Sequence, residues 1–305
     1  MKKTTFLKLA SFIFIICMSF TGLHSQKTSK KGSLKTKSTL LKKTLDLSKP
    51  EDNLKAFVKM RASLDTNEVT VYYWTGRIYS YIDGERGKPL FDLEAMNIAL
   101  IKKVGDDYQM LTREAAVYRD IISGKIIEKW YNPYINDSVD VVHVWNDPVN
   151  QTYALKGRFG DWGVPYKDQG DGRVCMYSDI FLLYPSPLPV KDFPMNSRSD
   201  NYQAAELFQF FIDKDQLLSP KTKNIYSEVG WTRFSDFLPW MNMSNKSGNL
   251  VYQCRGYKTN GGFETIPKEF RDYILKHKPE FAAPPTEYKT PNMTSWKYFR
   301  DNVKK

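Results

Sequence analysis

The sequence predicts a mainly β protein: a single antiparallel β-barrel, or a barrel-like (lipocalin-like) sheet, flanked by N- and C-terminal helices. Three observations carry this. Two-residue hydrophobic alternation recurs from Glu68 onward. Short Gly/Asp turns of hairpin length separate the alternating runs. Trp, Tyr and Phe make up 14% of the chain, a load that pleated, half-buried surfaces absorb well.

The elements follow in order. Ser48 and Glu51 have capping-box spacing, and Pro50 suits a first helical turn. Leu54, Phe57, Val58 and Arg61 then share one face, giving a helix over 50–64. Val69, Val71, Tyr73 and Thr75 alternate with Thr70, Tyr72, Trp74 and Gly76 in a strand that runs to Ile82, where Asp83, Gly84 and Gly87 mark a turn. Further strands are predicted at 90–103, 108–119, 125–131 and 139–145, with Gly105-Asp106-Asp107 and Ser123-Gly124 between them. A loop rich in Gly, Asp and Trp spans Gly157 to Gly172. Strands resume at 173–184, 202–212, 224–234 and 249–257, and Pro185, Pro187, Pro189 and Pro194 force a long irregular excursion. A helix at 266–278 carries Phe270, Tyr273 and Ile274 and stops at Pro279. Thr294 or Ser295 caps a last helix at 295–302 with Trp296 and Phe299. About nine sequential strands hide their edges best by closing into a barrel, with a two-sheet sandwich as the competing architecture.

The net charge of +11 is concentrated at the N-terminus, since residues 1–50 hold eleven Lys and one acid, Asp46. The rest is nearly neutral and has no basic stripe with interleaved aromatics, which argues against nucleic acid as a partner. Lys2, Lys3 and Lys8 precede a short apolar run from Leu9 to Phe20 and a polar stretch to Ser25. That is the layout of a secretory signal peptide over 1–25, with export to the periplasm or beyond and a mature start near Gln26. Cys17 raises lipidation as an alternative, but bulky Ile15 and Ile16 precede it; an uncleaved anchor is the other. Residues 26–47 read as a Lys/Ser/Thr-rich tether, with loose contact to a membrane or polysaccharide as its functional reading. One domain is expected over 48–305. Cys175 and Cys254 are equally consistent with a disulfide and with small core residues. Asn-x-Ser/Thr sequons, among them Asn136, Asn150, Asn242 and Asn292, matter only in a eukaryotic secretory pathway, and the Lys-rich signal looks bacterial.

Chemistry is sparse. The chain has no phosphate-binding Gly-rich loop, no Gly-x-Ser-x-Gly elbow and no His-Glu-x-x-His, and no cofactor or metal is expected. His143 lies in Val139-Asp140-Val141-Val142-His143-Val144-Trp145, where a period of two puts Val141, His143 and Trp145 on one face. It reads as a base near neutral pH or as a buried imidazole satisfied by a neighbouring strand. Glu114, Asp179 and Glu206 interrupt apolar strands, where an unpaired charge is costly. Glu206 shares a face with Tyr202, Ala204, Phe208 and Phe210. It reads as an acid or ligand anchor, or as half of an ion pair with Arg113, Arg173 or Arg233. Trp231-Thr232-Arg233 and Leu238-Pro239-Trp240-Met241 read as one wall of a pocket or as a satellite core.

Four stretches carry a family resemblance: Glu51 to Arg61, Val141 to Asn150, Gly248 to Gly256 and Pro291 to Phe299. With them the chain resembles domain-of-unknown-function family 1838 over about 48–303. The resemblance implies a single, often exported domain and carries over no activity and no site residue.

Three functional readings result. The first is an exported barrel that encloses a small, largely apolar or aromatic ligand, with Trp145, Asp179, Tyr202, Trp231 and Trp240 as ligand-binding residues. The second makes that cavity a cofactor-free acid–base site (lyase, isomerase or hydrolase), with His143 and Glu206 moving protons and Arg233 stabilising negative charge. The third is a cell-envelope module that binds glycan or protein through exposed aromatics. Convergence of His143, Glu206 and Arg233 in one water-accessible pocket is the geometric test.

Overall fold

A computed structural model describes residues 44–157 and 160–303. The expected signal peptide and most of the expected tether lie outside the described residues. The tether's end is packed: Leu47 is buried, and the Leu45 N–H donates to Leu218 O at 2.9 Å.

Three long strands open the sheet: β1 (Thr70–Ile82), β2 (Lys88–Val104) and β3 (Asp107–Arg119). β4 (Lys129–Asn132) and β5 (Asp137–Asp140) form a separate small hairpin. β6 (Val144–Asn146) and β7 (Gln151–Tyr153) both pair with β3, and β8 (Lys156–Gly157) pairs with β9 (Gly160–Asp161). β10 (Tyr166–Asp168), β11 (Arg173–Pro185), β12 (Asn201–Asp213), β13 (Glu228–Ser235) and β14 (Gly248–Lys258) follow. The principal sheet has ten strands in the order β10-β11-β12-β13-β14-β1-β2-β3-β6, with β7 also on β3, and every pair is antiparallel. Helices α1 (Pro50–Arg61), α2 (Lys214–Leu218), α3 (Lys268–His277) and α4 (Ser295–Asn302) flank it.

The long strands agree with the alternation read from the sequence, but the sheet does not close into a barrel. β6, β7 and β10, which end it, have three residues each and offer too few N–H and C=O groups to zip together. The chain instead crosses from one edge to the other through the segment between β7 and β10, and α1 fastens that crossing. Buried Asn53 donates from Nδ2 to Leu47 O (3.1 Å) and Val164 O (3.0 Å), and its Oδ1 accepts from Trp162 Nε1 (3.0 Å) and the Val164 N–H (2.9 Å).

The expected strand at 139–145 is also two pieces. Val141–His143 leave the ladder, so Val141, His143 and Trp145 do not share a face: Val141 packs with Tyr118 and Trp240, and Trp145 packs under α3. At the start of α1 the Ser48 hydroxyl donates to Asp46 Oδ1 (2.7 Å) rather than capping the helix. Pro50 already removes one N–H that a cap would serve. Thr294 caps α4 as expected, its Oγ1 accepting from the Lys297 N–H at 3.2 Å. Cys175 and Cys254 are free and buried, on opposite faces of the sheet.

The sheet curls strongly. Tyr72 on β1 and Phe210 on β12 are three ladders apart, about 14 Å on a flat sheet, yet their rings meet edge-on at 6.2 Å. Phe57 of α1 fills the trough, with ring centroids 5.3 Å from Tyr153 beside one edge and 6.5 Å from Phe210 on the opposite wing. Two glycines on the inner face permit the curl. A Cβ on Gly76 would meet Gln253 O and lie 2.5 Å from Cys254 Cα, and one on Gly256 would lie 2.6 Å from Tyr73 O. Both collisions are with backbone, which cannot give way without flattening the sheet. Gly76→Ala therefore lowers unfolding stability by about 3 kcal/mol or more. Gly230→Ala, with nothing within 4 Å, stays within about 1 kcal/mol of wild type. Urea unfolding of both variants measures this, and equal midpoints contradict the role given to Gly76.

Candidate functional site

On the inner face, the ends of the strands and their middle differ. At one end Tyr72, Met176, Phe210 and Ile212 are buried beneath Leu54 and Phe57 of α1. At the other, Ile78, Phe91, Tyr118 and Tyr252 are buried with Trp240 and with Trp296 and Phe299 of α4. Between these plugs, Trp74, Glu114, Glu206, Phe208, Trp231 and Arg233 are only partly buried. A band accessible to water and rich in charge and aromatic surface thus crosses the middle of an otherwise apolar trough.

Strand register builds the centre of the band. Glu206 and Arg233 face each other across β12 and β13. Arg233 Nη1 lies 3.0 Å from Glu206 Oε1, with the side chains 21% and 18% exposed. Arg233 Nη2 donates to Tyr202 Oη (2.5 Å), and the guanidinium lies 5.6 Å from the Tyr252 ring centroid. Burial works against the Arg233 charge, but Tyr202, Glu206 and Tyr252 outweigh it and raise the pKa above the ordinary range. Removing either partner would leave a half-buried charge without its counterion.

Glu114 comes from β3, five ladders from β12, and still feels Glu206 and Arg233 because the sheet curls them toward one another. Burial, followed by repulsion from Glu206, raises its pKa; a hydrogen bond with Asn146 and the charges of Arg61 and Arg233 act the other way. Asn97 Nδ2 approaches Glu114 Oε1 at 3.5 Å. One carboxyl is thus clamped by a guanidinium while the other is pushed toward its neutral form, a division of labour that acid–base sites use. Beside them Trp74 and Trp231 meet edge-on at 6.1 Å, Phe208 stacks on Trp231 at 6.0 Å, and both indole Nε1 atoms are buried with no hydrogen-bond partner among the described residues.

Glu206, Arg233, Tyr202 and Trp231, singled out from the sequence, therefore meet. Asp179 lies on the outer face, exposed, because its odd position on β11 points away from the trough. Trp145 stacks on Tyr273 of α3 (6.3 Å) and meets Phe281 edge-on (5.4 Å). Trp240 packs among Phe91, Tyr118 and Trp130 in the apolar plug.

His143 is separate from the band. It is 5% exposed, between Tyr118 (5.8 Å) and Tyr273 (5.5 Å). Its Nδ1 accepts the Tyr118 backbone N–H at 3.2 Å, so the imidazole serves the ladder where β6 has ended. That bond puts the ring proton on Nε2, which has no partner among the described residues. Burial pushes its pKa down to about 4. Arg61, Trp74 and Phe208 also join the band, Trp74 and Phe208 without a site signal in their own strand pattern. For Arg61 a signal existed, since a guanidinium on the apolar face of an amphipathic helix needs a reason.

Among the described residues, no three His, Cys, Asp or Glu side chains gather to hold a metal ion, and no helix is long and apolar enough to cross a membrane. Fold and site define a mainly β protein built on one curled antiparallel sheet with a charged, aromatic band on its inner face. The chain belongs to the family described as Protein of unknown function (DUF1838), whose model matches residues 67–303. No curated protein matches the sequence.

The depressed His143 pKa has a measurable consequence. The folded value lies below the ordinary 6.5, so the unfolded chain binds the extra proton first as pH falls. The contribution is complete above pH 6.5 and is lost as pH drops through about 4, a change on the order of 3 kcal/mol. Melting curves from pH 7.5 to 4 should show a smaller acid loss for His143→Gln than for wild type. Parallel curves contradict the buried, neutral imidazole.

Proposed function

We propose that this is an exported binding protein whose inner-face band holds a small, largely apolar or aromatic ligand. The observation that carries the reading is the contrast along the trough: both ends are covered by apolar side chains, while the middle keeps a partly exposed Glu206–Arg233 pair among the half-buried rings of Trp74, Phe208 and Trp231. Aromatic faces supply stacking area, and the few polar groups fix orientation. Export rests on the N-terminal pattern of a positive region, a short apolar run and a polar stretch. The Lys-rich tether would add loose attraction to an anionic surface.

Acid–base catalysis in the same band is the second reading, favoured by the two differently held carboxyls. Glu114, rather than His143, is then the proton carrier, since the imidazole lies outside the trough and serves the ladder. Glu114→Gln would then abolish turnover of any ligand found to be a substrate, whereas in a pure binder it changes affinity alone.

The binding reading is tested with N-phenyl-1-naphthylamine, a neutral probe that brightens in apolar surroundings. Saturable binding in the micromolar range is expected, weakened about tenfold or more by Trp231→Ala. Phe181→Ala on the outer face should leave it unchanged. No saturable signal, or equal effects of the two substitutions, sinks the reading.

A further inference from the structure

Arg61 closes the last turn of α1 and turns its guanidinium into the trough, 5.2 Å from the Tyr72 ring centroid and 5.6 Å from that of Phe210. Among the described residues, no carboxylate lies within 4 Å of it. Glu114 is near enough to be felt but is held by Asn97 and Asn146, and Glu206 is taken by Arg233. The Tyr72 and Phe210 rings lie beside the guanidinium, and Tyr153 shares one hydrogen bond with it. Among the described residues no other hydrogen bond or ion pair reaches Arg61, which leaves guanidinium donors for a planar anion.

A continuous aromatic surface leads away from this cation. Phe210 stacks on Phe208 at 5.9 Å, Phe208 on Trp231 at 6.0 Å, and Trp231 meets Trp74 at 6.1 Å. Its first member is buried and the other three are half-buried. Among the described residues, the buried groups without partners along that surface are mostly donors: the indole Nε1 atoms of Trp74 and Trp231 and Arg233 Nε, against the acceptor Asn146 Oδ1.

We propose that Arg61 is the anion-binding residue of this band and that the ligand class is a small aromatic or unsaturated monocarboxylate, its carboxylate on Arg61 and its flat body along Phe208 and Trp231. This rests on the band being a ligand site. Charge counting limits the anion to one unit. Two carboxyls already face the trough, one of the two guanidiniums is paired, and a dianion would add repulsion that a single free cation does not offset.

The experiment compares three ligands of one shape, 2-naphthoate, 2-naphthamide and 2-naphthylmethylamine, as competitors of N-phenyl-1-naphthylamine at pH 7 and low salt. Wild type should bind the acid about tenfold or more tighter than the amide, and Arg61→Gln should bring the two within about twofold. Arg61→Lys keeps the charge without the planar fork and should retain part of the preference. Equal binding of acid and amide, tightest binding of the amine, or a preference that survives Arg61→Gln each overturns the proposal. If Arg61→Gln does not fold, the wild-type ranking decides. Should the neutral probe bind while none of the three displaces it, the monocarboxylate class is wrong and the ligand site stands. Should the probe itself fail to bind, both are wrong.

Discussion

Where β1 runs beside β14, the inner face of the sheet carries hydrogen atoms at Gly76 and Gly256, and neighbouring backbone occupies the volume a Cβ would need. That close approach lets ten strands bend inward without closing. Once bent, the inner face cannot be covered by one flat layer of helices. It is filled from its two ends instead, by α1 at one and by α4 with the Trp240 loop at the other. The middle lies between the plugs, and there the inner face carries Glu114, Glu206 and Arg233 only partly buried. Flat strands would separate Glu114 from Glu206 by about 24 Å, five ladder spacings; the curl makes them electrostatic neighbours.

Helix α1 is tied down by unusual means. Lys258 Nζ donates to Lys59 O (2.7 Å) and Ala62 O (2.8 Å), and Lys59 Nζ donates to Gln216 O (2.9 Å) and Ser219 O (2.7 Å). Burial pushes the Lys59 pKa down to about 8 and that of Lys258 well below its ordinary value. Neither amine has a carboxylate within 4 Å among the described residues. An ammonium against the carbonyls of a helix C-terminus is favourably placed with respect to the helix dipole. The carbonyls that Lys258 grips flank Arg61 in sequence, and Tyr72 Oη adds a bond to Met60 O at 2.7 Å. The last turn of α1 is thereby fixed, and with it the direction in which Arg61 points.

The outer face is divided. Over β1, β2 and β3 it is covered by α3, whose Phe270 and Ile274 pack on Val71, Met96, Ile98 and Val117. Over β11 to β13 it is open, and Phe181 and Phe234 are exposed. At the covered border Glu94 accepts from Arg119 (2.5 Å) and Tyr73 (2.7 Å), so charge ends the apolar patch where the helix ends.

Local pattern specifies the long strands, the three longer helices, the crowding of positive charge before residue 50 and the face that Glu206 shares with Tyr202 and Phe208. Those depend on period, turn chemistry and composition, which are local. Apolar residues on both faces of β1 to β3 invited a barrel, yet they have an open-sheet cause, since α3 covers the outer face and the plugs cover the inner one. Closure depends on edge strands of three residues, too short to leave a periodic signal. The site divided the same way. Glu206 and Arg233 were legible as charges inside apolar strands, and their pairing needed only the β12–β13 register. Arg61, Glu114 and Trp231 are far apart in sequence and converge only because the sheet curls over α1. The alternation around His143 is interrupted by its own side chain, which takes the Tyr118 N–H. These matters are settled in three dimensions, because each depends on contacts between segments distant in sequence, which local pattern does not encode.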